Sequence, residues 1–196
     1  KISPGDPAAG KRVKQVHPDW KQTKVYHLLY QPKDWQPGKR YPVIVEYAGN
    51  GPYQNQFGDI STGLPEGSKM GYGITGGRGF IWVCIPYLNA DGNRNVTQWW
   101  GDKPKHDPQP TLTYCKKVVP WICRQYGGDP GRLVLCGFSR GAIACNYLGL
   151  HDDEIAKLWR AFIPYSHYDG VRRWGYPGFD KASAKKRLQR LGTRPQ

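Results

Sequence analysis

The sequence predicts an α/β fold built on a mostly parallel sheet flanked by helices. Two observations carry this. Short apolar runs alternate with stretches of helical periodicity along the chain, the pattern of strand–helix–strand units. One such unit, residues 129–148, also carries a glycine–serine turn between a buried strand and a helix. With 196 residues, 38% of them hydrophobic and 13% aromatic, the chain has the size of about one domain and the apolar content to build its core. The 25 glycines and 17 prolines predict many turns and long loops.

In chain order, residues 1–21 read as irregular, broken by Pro4, Gly5, Pro7, Gly10 and Pro18. Val25 to Tyr30 reads as a strand, with His27 on its surface. A Pro/Gly turn leads to a second strand, Tyr41 to Tyr47, centred on the β-branched run Val43-Ile44-Val45. These two look like a hairpin-like pair. Ala48-Gly49-Asn50-Gly51-Pro52 follows as a tight turn. Phe57 to Gly79 is glycine-laden and contains Gly71-Tyr72-Gly73-Ile74-Thr75-Gly76, a match to G-x-G-x-x-G. No strand leads into that match and no helix is expected from it, so a dinucleotide site is rejected. Gly79 to Pro86 is the next buried strand, and Tyr87 to Asp107 a long loop holding Trp99 and Trp100. That indole pair is expected to wall a substrate pocket, with covering of the core edge as the alternative.

A helix is predicted from Pro110 to Tyr126. Leu112, Cys115, Val119, Ile122 and Tyr126 recur on one face, and Pro120 sits inside. Leu133 to Cys136 is a strand covered on both faces, and Ala142 to Leu148 a helix. A short helix over 152–158, a strand over 161–165 and a basic helix over 182–191 complete the reading. Residues 193–196 look like the approach to one more strand.

Between the strand at 133–136 and the helix at 142–148 lies Gly137-Phe138-Ser139-Arg140-Gly141, a G-x-S-x-G pattern. A serine hydroxyl becomes a nucleophile when a base takes its proton, and it must stand clear of the backbone. A sharp strand-to-helix turn achieves this with Ser139 strained at its tip, provided residues 137 and 141 carry no Cβ. The following helix turns its N-terminal N–H groups, including that of Arg140, toward a developing oxyanion.

The formal charge of +14 is uneven. Residues 1–40 hold nine Lys/Arg and three Asp/Glu, residues 157–196 ten and two, and the middle ten of each. The basic ends lack a helix-turn-helix, RNP or zinc-finger pattern, so a nucleic-acid partner is not favoured over solvated surface. No apolar run reaches the ~18 residues of a membrane span. The five cysteines, Cys84, Cys115, Cys123, Cys136 and Cys145, are odd in number, lack C-x-x-C spacing and fall in predicted strands or helices. They read as small buried hydrophobes; zinc and other cofactors are not expected. The absence of an initiator Met suggests a processed or trimmed chain and favours an extracytoplasmic origin, while the odd cysteine count argues against one. Compartment and oligomeric state stay open.

The Asp129-Pro130-Gly131-Arg132 lead-in, the apolar strand and Gly-x-Ser-x-Gly-Ala, with the Gly-Asn-Gly turn upstream, resemble the α/β-hydrolase superfamily. The likeness is to its esterase and prolyl-oligopeptidase-like branch. The resemblance implies that residues 25–196 are the front part of a hydrolase domain, incomplete at its C-terminus, after an irregular basic segment at 1–24. It implies Ser139 as nucleophile, the N–H of Arg140 and one from Gly49–Gly51 as oxyanion hole, and an ester or peptide as substrate. The family order is Ser, acid, His, and the usual places of the last two lie beyond residue 196. Some relatives take the acid from the end of the strand after the elbow helix, where Asp169 stands. His167 is the histidine nearest that point, but it precedes Asp169 by two residues and is ill placed to be held by it. The competing expectation is a hydrolase-like binding module for carbohydrate or peptide, with Ser139 vestigial.

Overall fold

The computed structural model describes residues 1–51, 53–56, 60–173 and 175–196. Pro52 of the Gly-Asn-Gly-Pro turn, residues 57–59 of the glycine-laden stretch, and Trp174 lie outside the described residues. The elements run β1 (Arg12–Gln15), β2 (His27–Tyr30), β3 (Tyr41–Tyr47), β4 (Tyr53–Gln54), β5 (Ile60–Ser61), α1 (Met70–Thr75), β6 (Ile81–Ile85), β7 (Tyr87–Leu88), β8 (Asn95–Val96), α2 (Gln109–Tyr126), β9 (Gly128–Phe138), α3 (Arg140–Tyr147), α4 (Asp153–Ala156), β10 (Ala161–Tyr165) and α5 (Lys181–Gln189).

Six strands form one sheet in the order β1-β2-β6-β3-β9-β10. β6, β3, β9 and β10 are parallel, and β2 joins β6 antiparallel. β6 therefore lies between β2 and β3, and the hairpin-like pairing expected of those two strands does not form. The sequence of β3 is apolar enough to be buried on both sides, as a central parallel strand requires. Val43, Val45 and Tyr47 face a large core with α2, α3 and α4, while Ile44 faces a smaller one with Trp82, Cys84 and Cys136. All five cysteines are free and buried. No helix among the described residues is long and apolar enough to cross a membrane.

Further elements depart from the sequence reading. Within the stretch read as irregular, Arg12–Gln15 forms an edge strand against β2, with Val13 fully buried. Its short apolar content gave no period to read. The glycine-laden stretch contains α1, which follows a turn rather than a strand, so no dinucleotide motif results. The buried Glu46 of β3 builds that helix start. Its carboxylate accepts the N–H groups of Lys69 (3.1 Å), Met70 (3.1 Å) and Gly71 (2.9 Å), and Trp82 Nε1–H at 2.8 Å. A Cβ at Gly71 would meet the Trp82 ring at 2.2 Å, so glycine brings this helix down onto the sheet.

His27 departs as well. It is fully buried rather than on the strand surface, with Nδ1 2.7 Å from Tyr114 Oη and Trp121 beside it. Burial, with a smaller push from His17, lowers its pKa to about 3. Above pH 6.5 the ring is neutral in both folded and unfolded chains. As the pH falls from 6.5 toward 3, only the unfolded chain takes up the proton, so stability is lost over that window. The expected slope from this residue is about 1.4 kcal/mol per pH unit. Urea unfolding across that range should show it, and His27→Leu should flatten the limb by one proton.

At the far edge, β10 pairs with β9 on one side. On the other, Phe162 N–H donates to Pro195 O at 3.0 Å. Residues 193–196 form no strand, but this bond lays the chain alongside β10.

Candidate active site

β3 runs to β6 through α1 on one face of the sheet, and β6 runs to β9 through α2 on the other. The carboxyl ends of β3 and β9 therefore flank a topological switch point, where open α/β sheets bind ligands. Ser139 follows β9 and Gly49–Gly51 follows β3.

Ser139 has φ 56° and ψ −128°, a conformation that costs an L-residue of order 1–3 kcal/mol. The neighbouring glycines allow the turn. A Cβ at Gly137 would sit 2.3 Å from Gly141 O, and one at Gly141 2.3 Å from Tyr47 O. Ser139 occupies the N-cap position of α3, where a serine ordinarily accepts from the first-turn N–H groups. Here the side chain makes no cap bond. The strained backbone turns the hydroxyl away from helix capping, at a residue that is 9% exposed.

The Gly-Asn-Gly turn lies against this elbow. A Cβ at Gly49 would fall 2.7 Å from Phe138 O and 3.2 Å from Ser139 Cβ; one at Gly51 would fall 3.8 Å from Ser139 Oγ. The turn is pinned from several sides. Tyr87 O–H donates to Ala48 O (2.6 Å), Gly63 N–H to Gly49 O (2.6 Å), Asn50 Nδ2 to Thr97 O (2.7 Å) and Arg140 Nη1 to Asn50 Oδ1 (3.4 Å). Hydroxyl, helix N-terminus and glycine turn thus converge.

The remaining candidates are placed elsewhere. Asp169 does not hold a histidine. It is buried, and Arg187 of α5 donates to both its oxygens at 2.8 and 3.2 Å. Burial raises its pKa, while the guanidinium opposes that shift. Arg187 also donates to Gly178 O (2.8 Å) and lies over the Tyr147 ring. Asp169 is therefore a strut between the β10–α5 connection and α5. Arg187→Met, which leaves this carboxylate buried alone, should cost about 3–5 kcal/mol by chemical denaturation; Asp169→Leu/Arg187→Met should cost much less.

His167 is exposed, with Nδ1 2.8 Å from Oγ of Ser166, itself at φ 81°. Among the described residues no histidine hydrogen-bonds to Ser139. His17 packs on Trp20 and Trp121, His106 on Tyr176, and His151 Nδ1 lies 3.4 Å from Asp152. Trp99 and Trp100 are buried against Tyr147, Phe179 and Tyr176. They cover the core edge, the alternative to the pocket wall.

The fold is similar to that of the feruloyl esterase module from Clostridium thermocellum complexed with sinapinate, at 16% identity and TM-score 0.54, over 98% of this chain and 67% of that one. It is similar to Thermogutta terrifontis esterase 2 phosphorylated by paraoxon, at 18% identity and TM-score 0.55, over 88% and 63%. It is also similar to a thermostable esterase, at 15% identity and TM-score 0.51, over 94% and 52%. This is an α/β-hydrolase fold. The chain spans about half the length of the thermostable esterase. No protein-family model and no curated protein matches the sequence.

Beside the α/β-hydrolase elbow lies a cavity of about 330 Å³ between Gly49, Phe138 and α1. Ser139 does not line it, but its neighbour Phe138 does, and Ser139 Cβ lies 3.2 Å from the point where a Cβ on the lining residue Gly49 would stand. Tyr53, Ile60, Ser61, Met70 and Tyr165 line it, and the sequence reading named none of them. Their signal was absent because β4, β5 and α1 are short and come together only in the fold. A second cavity, about 370 Å³, lies over α5 between Asp169 and Lys185 and shares no wall residue with the elbow.

Proposed function

We propose that this chain carries the nucleophile and oxyanion-binding half of a serine hydrolase that cleaves an ester or amide bond. The observation that carries the reading is Ser139 held at φ 56° with its hydroxyl withheld from helix capping. On this reading Oγ attacks the substrate carbonyl carbon as a histidine takes its proton. The tetrahedral oxyanion accepts N–H groups of Arg140 and of one residue among Gly49–Gly51. Collapse expels the alcohol or amine, which takes the proton from that histidine, and leaves an acyl group on Ser139. Water then repeats the attack and releases the acid. Losing one oxyanion donor would typically cost about 10²–10³ in turnover. Among the described residues no histidine is hydrogen-bonded to Ser139, and this reading requires one. The esterase fold neighbours, one of them phosphorylated by paraoxon, support the reaction class.

The absent histidine contact also favours a second reading, a hydrolase-like binding module for carbohydrate or peptide in which Ser139 is vestigial. A fluorophosphonate separates the two. The hydrolase reading expects one phosphonyl group on Ser139, found by peptide mass and lost in Ser139→Ala. No label, even with imidazole supplied as base, would overturn it in favour of the binding module.

A further inference from the structure

The cavity beside the elbow is lined by an unpartnered hydroxyl and by aromatic rings. Ser61 Oγ is buried and makes no hydrogen bond. It lies 2.6 Å from the point where a Gly49 Cβ would stand, and Ser139 Cβ lies 3.2 Å from that same point. A buried hydroxyl without a partner is costly, and a ligand's polar group would satisfy it. Three rings of its surroundings form a row. Tyr53 and Phe138 are 5.2 Å apart and tilted by 58°; Phe138 and Tyr165 are 5.6 Å apart and tilted by 31°. Tyr53 is 42% exposed, Ile60 45% and Tyr165 61%. Large apolar side chains exposed together in a concave wall mark a ligand site rather than an ordinary surface.

Resting on the hydrolase reading of Ser139, we propose that this cavity receives an aromatic ring, joined by a short linker to the carbonyl that Ser139 attacks. Ser61 Oγ hydrogen-bonds the polar group next to that carbonyl. The row of tilted rings offers a further ring both a face and an edge. Aromatic pairs prefer such offset or edge-to-face contacts, and a saturated chain of equal area does not gain them. At about 330 Å³ the space is well above the ~150 Å³ that suffices for benzene in an apolar cavity, so it admits a ring with its linker.

Binding of intact ligands to the 196-residue chain tests this without need of a catalytic base. The probes are methyl 3-phenylpropanoate, methyl nonanoate with the same carbon count, and N-acetylphenylalanine methylamide, followed by amide chemical shifts. At least one aromatic probe should bind about tenfold tighter than the nonanoate; which one does so identifies an aryl ester or an aromatic peptide as the source of the ring. Tyr53→Ser/Tyr165→Ser, at exposed positions, should remove that preference. Ser61→Ala should weaken aromatic and aliphatic esters alike and leave the preference in place. Equal affinities, no binding by any probe, or a preference indifferent to Tyr53 and Tyr165 would overturn the proposal. Fluorophosphonate labelling is read separately. A labelled Ser139 without aromatic preference removes the cavity assignment alone, and aromatic preference without label removes the hydrolase reading alone.

Discussion

Gly141→Ala is expected to lose the native fold or most of its stability. A Cβ there would stand 2.3 Å from Tyr47 O, 3.0 Å from Ala48 C and 3.1 Å from Ala48 O. All three are main-chain atoms at the end of the central strand, so no rotamer change relieves the contact. Helix α3 would have to move off the sheet. Overpacking a core ordinarily costs about 1–3 kcal/mol and more where the neighbours cannot yield. A cost of about 3 kcal/mol or more is expected here, a large part of the 5–15 kcal/mol typical of a domain. A urea midpoint lower by about 1 M or more checks it. An unchanged midpoint would mean that α3 slides freely and that the glycine spacing is not what seats Ser139.

Ser139→Ala should leave stability nearly unchanged and remove all fluorophosphonate labelling. The backbone strain is the same for both residues, and the hydroxyl makes no cap bond whose loss would matter. In the wild-type chain labelling should be slow, because among the described residues no histidine hydrogen-bonds to Ser139. Adding free imidazole should accelerate it at least about tenfold. A positioned base is worth about 10²–10⁴, and a diffusing one recovers part of that. The rate of phosphonyl incorporation, followed by intact mass, is the measurement. A rate independent of imidazole would show that proton removal is not what limits Ser139.

What the sequence revealed and what it hid divide along the range of the interactions. The elbow was legible because its requirements are local: two glycines four apart, an apolar strand before, helix formers after. The bounds of β3 and β10 were legible from continuous apolar runs. Helix α1 was hidden because Glu46, some two dozen residues earlier, supplies its cap and Trp82 requires its glycine. Asp169 stood at a plausible place for a catalytic acid, but the residue that claims it, Arg187, comes from the next helix. His27 and the Trp99–Trp100 pair were misjudged for the same reason. Their burial comes from α2 in one case, and from α3 and the 176–179 connection in the other. Side chains in loops and at strand starts take their environment from distant chain, and no local period announces it.

Among the described residues the outer margin of β10 is met by the bond from Phe162 N–H to Pro195 O and by no neighbouring strand. A margin of unsatisfied main-chain groups is a template on which another chain can build. Pro164 removes one donor from it and so blunts it, while Tyr165 adds adhesive surface at its tip. Wherever that rim is left uncovered, self-association through it is the expected consequence. Lysine in place of Ile163, whose side chain is only half-buried, is the kind of gatekeeper that natural sheets use to keep such rims apart.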